Sequence, residues 1–77
     1  AFYLFPDVSS LFGKSHAHGV IKNAEDFAMY LLDQAHVATV GGTSFGTPEC
    51  IRISYAASEE QLQEAIRRIA KAVNALL

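Results

Sequence analysis

Residues 50–56, Cys-Ile-Arg-Ile-Ser-Tyr-Ala, alternate between apolar and polar side chains with a period of two. That period predicts a strand with Ile51, Ile53 and Tyr55 on one face and Cys50, Arg52 and Ser54 on the other. Residues 58–77 have a helical period instead. Leu62, Ala65, Ile66, Ile69, Ala70, Val73, Leu76 and Leu77 recur at three- and four-residue steps, the strongest periodic signal in the chain. Ser58 followed by Gln61 is a capping-box pattern, with Glu59 and Glu60 at the front and Arg67, Arg68 and Lys71 in the second half, all on the favourable side of the helix dipole. A second helix is predicted from Asn23, whose side chain can cap, to about Ala35–His36. Its apolar stripe is Ala24, Phe27, Ala28, Leu31 and Ala35, widened by Leu32, and Glu25, Asp26, Asp33 and Gln34 take the other face.

The remaining segments are shorter. Residues 1–5 are almost wholly apolar and are stopped by Pro6-Asp7, which predicts a strand covered on both faces. Residues 8–22 read as a loop of about 15 residues, with a helical turn at Ser9–Phe12. Residues 37–40, Val-Ala-Thr-Val, are a short strand candidate closed by Gly41-Gly42, and residues 43–49 form a turn-rich connection punctuated by Gly46 and Pro48. Phe45 is a large aromatic in that polar loop. It either tucks under the loop as a plug, the more frequent fate, or lines a cleft. The order of elements predicts an α+β fold: a two-layer sandwich with a small, mostly antiparallel sheet of about three strands and helices on one face. The first two strands run parallel and the third runs back against the second. The other sheet face is left bare, with Arg52 on it. A guanidinium there either stays open to solvent or meets a carboxylate or phosphate, which its planar fork can hold with two parallel hydrogen bonds.

With 77 residues, the chain is one domain that buries about 60–65% of its unfolded surface. It is nevertheless 51% apolar and only 18% charged, so an exposed apolar patch that expects a partner surface is predicted. It also begins at Ala1 inside an apolar run, and reads as a piece of something longer. A formal charge of -2 with no basic face argues against nucleic acid as a partner. No apolar run approaches a membrane span, so the expected location is cytoplasmic. Cys50, the single cysteine, cannot form an internal disulfide and reads as a small buried hydrophobe.

Candidate chemistry is sparse. His16 and His18 could ligate a metal, but no third ligand stands nearby, so no metal site is expected. His36 at a helix C-terminus is explained by the dipole. Gly41-Gly42 with Gly46 lacks the spacing of a phosphate loop, and Ser44 has no identifiable base. Lys14, Lys22 and Lys71 lie in a loop or on a polar helix face, and none has the buried setting of a Schiff-base lysine.

Several stretches together resemble aspartate-aminotransferase-like enzymes over essentially the whole chain. They are Ala1-Phe2-Tyr3-Leu4-Phe5-Pro6-Asp7, Asp26-Phe27-Ala28 with Leu31-Leu32, Val37-Ala38 followed by Gly42-Thr43-Ser44-Phe45-Gly46, and Cys50-Ile51-Arg52-Ile53-Ser54-Tyr55-Ala56. The chain is similar to their small C-terminal domain. The resemblance implies a transaminase that uses pyridoxal 5'-phosphate held by a larger domain of the same chain. Its substrates would be an amino acid and a 2-oxo acid, and the full-length enzyme would be a homodimer. Arg52 would grip the substrate's α-carboxylate and Phe45 would line the cleft. No catalytic or cofactor-binding residue is expected among these residues, so alone they should be inactive. The same likeness leaves open a carbon–sulfur lyase or a condensing enzyme of the same fold. A non-catalytic interaction domain that uses the bare sheet face also remains open. One departure stands out: where the family usually has Pro-Gly after the Val-Ala-Val-type strand, this chain has Gly41-Gly42. Loss of the proline loosens the turn by up to about 1 kcal/mol.

Overall fold

A computed structural model of the chain describes residues 2–55 and 58–77, with Phe2 and Tyr55 described by their backbone only. The elements in order are β1 (Phe2–Leu4), a 3-10 turn (Ser9–Leu11), β2 (Ser15–His16), β3 (Gly19–Val20) and α1 (Ala24–Ala35). They are followed by β4 (Val40–Gly41), a 3-10 helix (Gly42–Phe45), β5 (Ile51–Tyr55) and α2 (Glu59–Asn74). The main sheet has the order β1-β5-β4. β5 is antiparallel to both neighbours, with Tyr3 opposite Ser54, Leu4 opposite Ile53, and Val40 opposite Arg52. The first and second strands of the expected sheet therefore do run parallel, one on each side of the third.

Ile51 and Ile53 are 1% and 5% exposed and join Phe27, Leu31, Ile21 and Val37 in the core. α1 packs on this side of the sheet, and α2 packs against α1. The chain is thus α+β with its helices on one face. Tyr55, which the alternation assigns to the same row, has its side chain outside the described residues, as do Ala1 and Ala56 altogether.

Both helices begin as their sequences direct. Asn23 Oδ1 accepts the Asp26 N–H at 2.8 Å, and Asp26 Oδ2 in turn accepts the Lys22 N–H at 3.0 Å. One free N–H of the helix start is capped, and the residue before the cap is tied to the first turn. Ser58 Oγ accepts the Gln61 N–H at 3.3 Å. α1 ends with His36 in the left-handed region at φ 56, and the N–H groups of His36 and of Val37 (at 3.3 Å) both reach back to the Leu31 carbonyl, a stop built on one left-handed residue.

Four expectations need correction. Tyr3, Leu4 and Phe5 are all exposed, so β1 is an edge strand and not one covered on both faces. Residues 37–40 are mostly not strand, because Val37 is used to close α1 and only Val40–Gly41 pairs with β5. Residues 8–22 are not simply a loop. They contain the β2–β3 hairpin, with Ser15 opposite Val20 and His16 opposite Gly19, and Ser15 also exchanges backbone hydrogen bonds with Leu77. Leu32, Ile66, Ala70 and Leu77 are exposed, whereas Tyr30 and Ala72 are buried. They meet where the Tyr30 hydroxyl donates to the Ala72 carbonyl at 2.8 Å. Among the described residues no helix is long and apolar enough to cross a membrane.

Candidate functional site

Arg52 is the second residue of the central strand, β5. Its neighbours Ile51 and Ile53 are pulled into the core, and alternation turns Arg52 to the uncovered face. Two aromatic residues meet it there. Tyr3 arrives from β1, one step along from the Leu4–Ile53 pair, and its ring centroid lies 4.7 Å from Arg52 Cζ. Phe45 arrives from the last position of the 3-10 helix, with its centroid 4.3 Å from the same atom. Both rings lie within cation–π distance of the guanidinium and attract its charge through their electron-rich faces.

Among the described residues Arg52 Nε is shut away from solvent and has no hydrogen-bond partner. The ion pairs among those residues belong to Arg67 and Arg68, both with Glu64. A guanidinium that is half-buried, stacked and without a carboxylate partner is chemically suited to an incoming anion.

The Phe45 plug expectation fails: the ring is 42% exposed and packs on Arg52, not beneath its loop. Its loop is shaped by backbone contacts. The Gly42 N–H donates to the Cys50 carbonyl at 2.8 Å, and the Thr47 N–H donates to the Gly42 carbonyl at 2.9 Å. Gly46 ends the turn at φ 78, a left-handed conformation that glycine adopts without strain.

Cys50 precedes the strand. Partial burial, with the Asp7 and Glu49 charges added, pushes its thiol above the usual range. It stays protonated and is no nucleophile at neutral pH. His16 and His18 do not converge on a ligand: the His16 ring packs on Tyr30 at 4.7 Å, and its Nδ1 accepts the His18 N–H at 3.3 Å. Among the described residues no group of three or more His, Cys, Asp or Glu could hold a metal ion.

Tyr3 was not foreseen as a partner of Arg52. The signal was present: with Leu4 opposite an inward Ile, Tyr3 must share the Arg52 face. It could be used only once β1 was known to pair beside β5 and not elsewhere.

A sequence model of the family described as "Aminotransferase class I and II" matches residues 1–69. The chain belongs to that family. Similar aminotransferases include the "Bifunctional aspartate aminotransferase and glutamate/aspartate-prephenate aminotransferase" of Petunia hybrida. It is 54% identical over 74 residues, covering 95% of this chain and 15% of the relative. The "Probable aspartate/prephenate aminotransferase" of Rhizobium leguminosarum bv. phaseoli is 51% identical over 70 residues, covering 90% and 18%. Among solved structures, the aspartate aminotransferase of Rhizobium meliloti superposes with a TM-score of 0.93 at 47% identity, covering 100% of this chain and 20% of that one. The chain therefore spans a fifth or less of the length of these relatives.

Proposed function

We propose that the chain is the small, C-terminal domain of a pyridoxal-phosphate-dependent aminotransferase of the aspartate type, and that Arg52 binds the α-carboxylate of its amino-acid and 2-oxo-acid substrates. Family membership and the printed activities of the relatives support the reaction class. The observation that carries the site is the Arg52 guanidinium itself, stacked by Tyr3 and Phe45 on the open sheet face with no carboxylate beside it among the described residues.

The described residues do not fit the cofactor. A lysine that forms a Schiff base needs a desolvated setting, whereas Lys22 and Lys71 are exposed and Lys14 is half-buried just before the hairpin. On this reading pyridoxal phosphate is held by a larger domain outside these residues, and the 77 residues alone do not transaminate. The role left to this chain is binding and orientation. Two parallel N–H donors from Arg52 fix both oxygens of a carboxylate, and thereby the rotation of the carbon that bears it. Phe45 walls one side and keeps water from competing for those donors. The α-carboxylate is common to every substrate of such an enzyme, so the arrangement selects the class and not the side chain. The names of the relatives favour aspartate, glutamate and prephenate for the latter.

The test is steady-state kinetics of the full-length enzyme with Arg52→Lys and Arg52→Ala. Both are expected to raise KM and to lower kcat/KM by about 3 kcal/mol, on the order of a hundredfold. Wild-type constants in either variant would refute the assignment.

A further inference from the structure

A polar contact joins the start of α1 to the 3-10 helix Gly42–Phe45. Glu25 occupies the first turn of α1, where a carboxylate gains from the dipole of its own helix. Its oxygens are also used outward. Oε1 accepts the Thr43 hydroxyl proton at 2.9 Å, and Oε2 accepts the Thr43 N–H at 3.4 Å. Thr43 lies two residues before Phe45 in the same 3-10 helix.

Room for this carboxylate comes from Gly41. The backbone there, φ -63 and ψ 144, suits any L residue, so conformation does not demand glycine. A Cβ at that point would fall on the Glu25 side chain, which contributes all three of the nearest atoms. The Gly41-Gly42 departure thus has a structural correlate: the space that a proline or alanine would fill is taken by a carboxylate.

We propose that Glu25 is a positioning residue for the substrate carboxylate, acting through Thr43 and Phe45 on Arg52. The inference rests on the reading of Arg52 given above. Arg52 Nε has no acceptor among the described residues, so the contacts that hold the guanidinium in place are those with the two rings. The Phe45 ring in turn stands where its 3-10 helix puts it. Backbone hydrogen bonds from Gly42 and Thr47 fix the base of that turn, and the Glu25–Thr43 contact ties its first residues to α1. Release of that tie lets the ring, and with it the fork of the guanidinium, leave the orientation that meets both carboxylate oxygens.

The experiment uses the full-length holoenzyme. Succinate, an unreactive dicarboxylate, is titrated by calorimetry alongside steady-state kinetics with aspartate and the thermal midpoint of each variant. Glu25→Ala and Thr43→Val are each expected to weaken succinate binding and to raise KM about tenfold, with kcat changing much less. The double variant should be no worse than either single one. Glu25→Gln, which keeps an acceptor for the Thr43 hydroxyl, is expected to stay within about twofold of wild type. Gly41→Ala should reproduce the loss in the wild-type background, where it displaces Glu25, and add nothing to Glu25→Ala. Unchanged succinate affinity in Glu25→Ala and Thr43→Val overturns the proposal, as does a Gly41→Ala effect of equal size in both backgrounds. A lowered thermal midpoint with retained affinity also overturns it. Should Glu25→Ala and Gly41→Ala fail to fold, the exposed Thr43→Val decides by the same criteria. Arg52→Ala separates the two readings. Wild-type succinate binding in Arg52→Ala sinks the carboxylate site itself, whereas lost binding there with normal binding in Glu25→Ala sinks only the role of Glu25.

Discussion

Gly41 and Gly42 stand side by side and are glycines for different reasons. A Cβ on Gly41 would meet the end of a flexible side chain, but one on Gly42 would strike the backbone carbonyls of Thr47 and Cys50. Side chains swing aside; a hydrogen-bonded turn does not. Gly42→Ala is therefore expected to destabilise the chain by about 3 kcal/mol, the upper part of the range for forcing atoms into a packed site. Gly41→Ala should fall well below that. Urea unfolding of the two variants side by side measures the difference, and equal losses would show that the turn yields as easily as Glu25. At this scale the sequence was only partly legible. Arg52 could be placed because its two neighbours in the strand are isoleucines. The distinction between the glycines could not, because it depends on Glu25, Thr47 and Cys50, which are neighbours of the turn in space and not all in sequence.

The elements divide by how local their causes are. The limits of α1 were readable because Asn23, Asp26 and the Leu31 stripe act within a few residues of one another, although the stripe took in the exposed Leu32 and missed the buried Tyr30. Its last position carries an avoidable cost. His36 holds a left-handed conformation, which disfavours a residue with a Cβ by roughly 1 kcal/mol. His36→Gly is accordingly expected to stabilise the chain by about 0.5–1 kcal/mol. Thermal or urea unfolding of the two proteins side by side checks this. A loss of stability would mean that the ring contributes contacts worth more than the strain.

Elements defined by distant partners were harder to read. The β2–β3 hairpin has strands of two residues each, too short for alternation to register, and it is completed by Leu77 from the far end of the chain. Residues 37–40 carry the right residue types for a strand, but Val37 is consumed by the helix stop. The stripe of α2 was drawn too wide. Apolar spacing marks what can be buried, whereas α1 and the Tyr30 hydroxyl decide what is.

For the molecule as a whole, charge and surface apolarity have separate consequences. The Arg67 guanidinium, with its Nε 2.8 Å from Glu64 Oε2, holds the Glu64 carboxyl below its ordinary value of 4.5. Hydrogen bonds from the Ser9 N–H and hydroxyl hold Asp7 below 3.8. Groups whose values fall on folding stabilise the folded state when ionised. Their contribution is complete above the ordinary values and is lost as the pH drops through the lowered ones. The urea midpoint is expected to decline as the pH is taken below about 4.5, and Arg67→Ala should flatten the Glu64 part of that decline. A midpoint independent of pH over this range would show that exposure and solvent cancel both interactions. The apolar excess of the sequence, meanwhile, surfaces only in part on the open side, where Tyr3, Phe5, Val40 and Phe45 are exposed, and in part elsewhere, at Val20, Met29, Leu32, Ile66 and Leu77.

The middle strand of the sheet is also the last strand of the chain. Among the described residues β1 pairs with β5 alone, so during synthesis it must wait for all the residues between Leu4 and Ile51 before its ladder can close. A long wait of this kind is slow by the entropy of ring closure, and it leaves the aromatic N-terminal run unpaired meanwhile. The domain should accordingly gain α1, whose capping contacts are local, before its first strand, with amide protection in β1 appearing only together with that in β5.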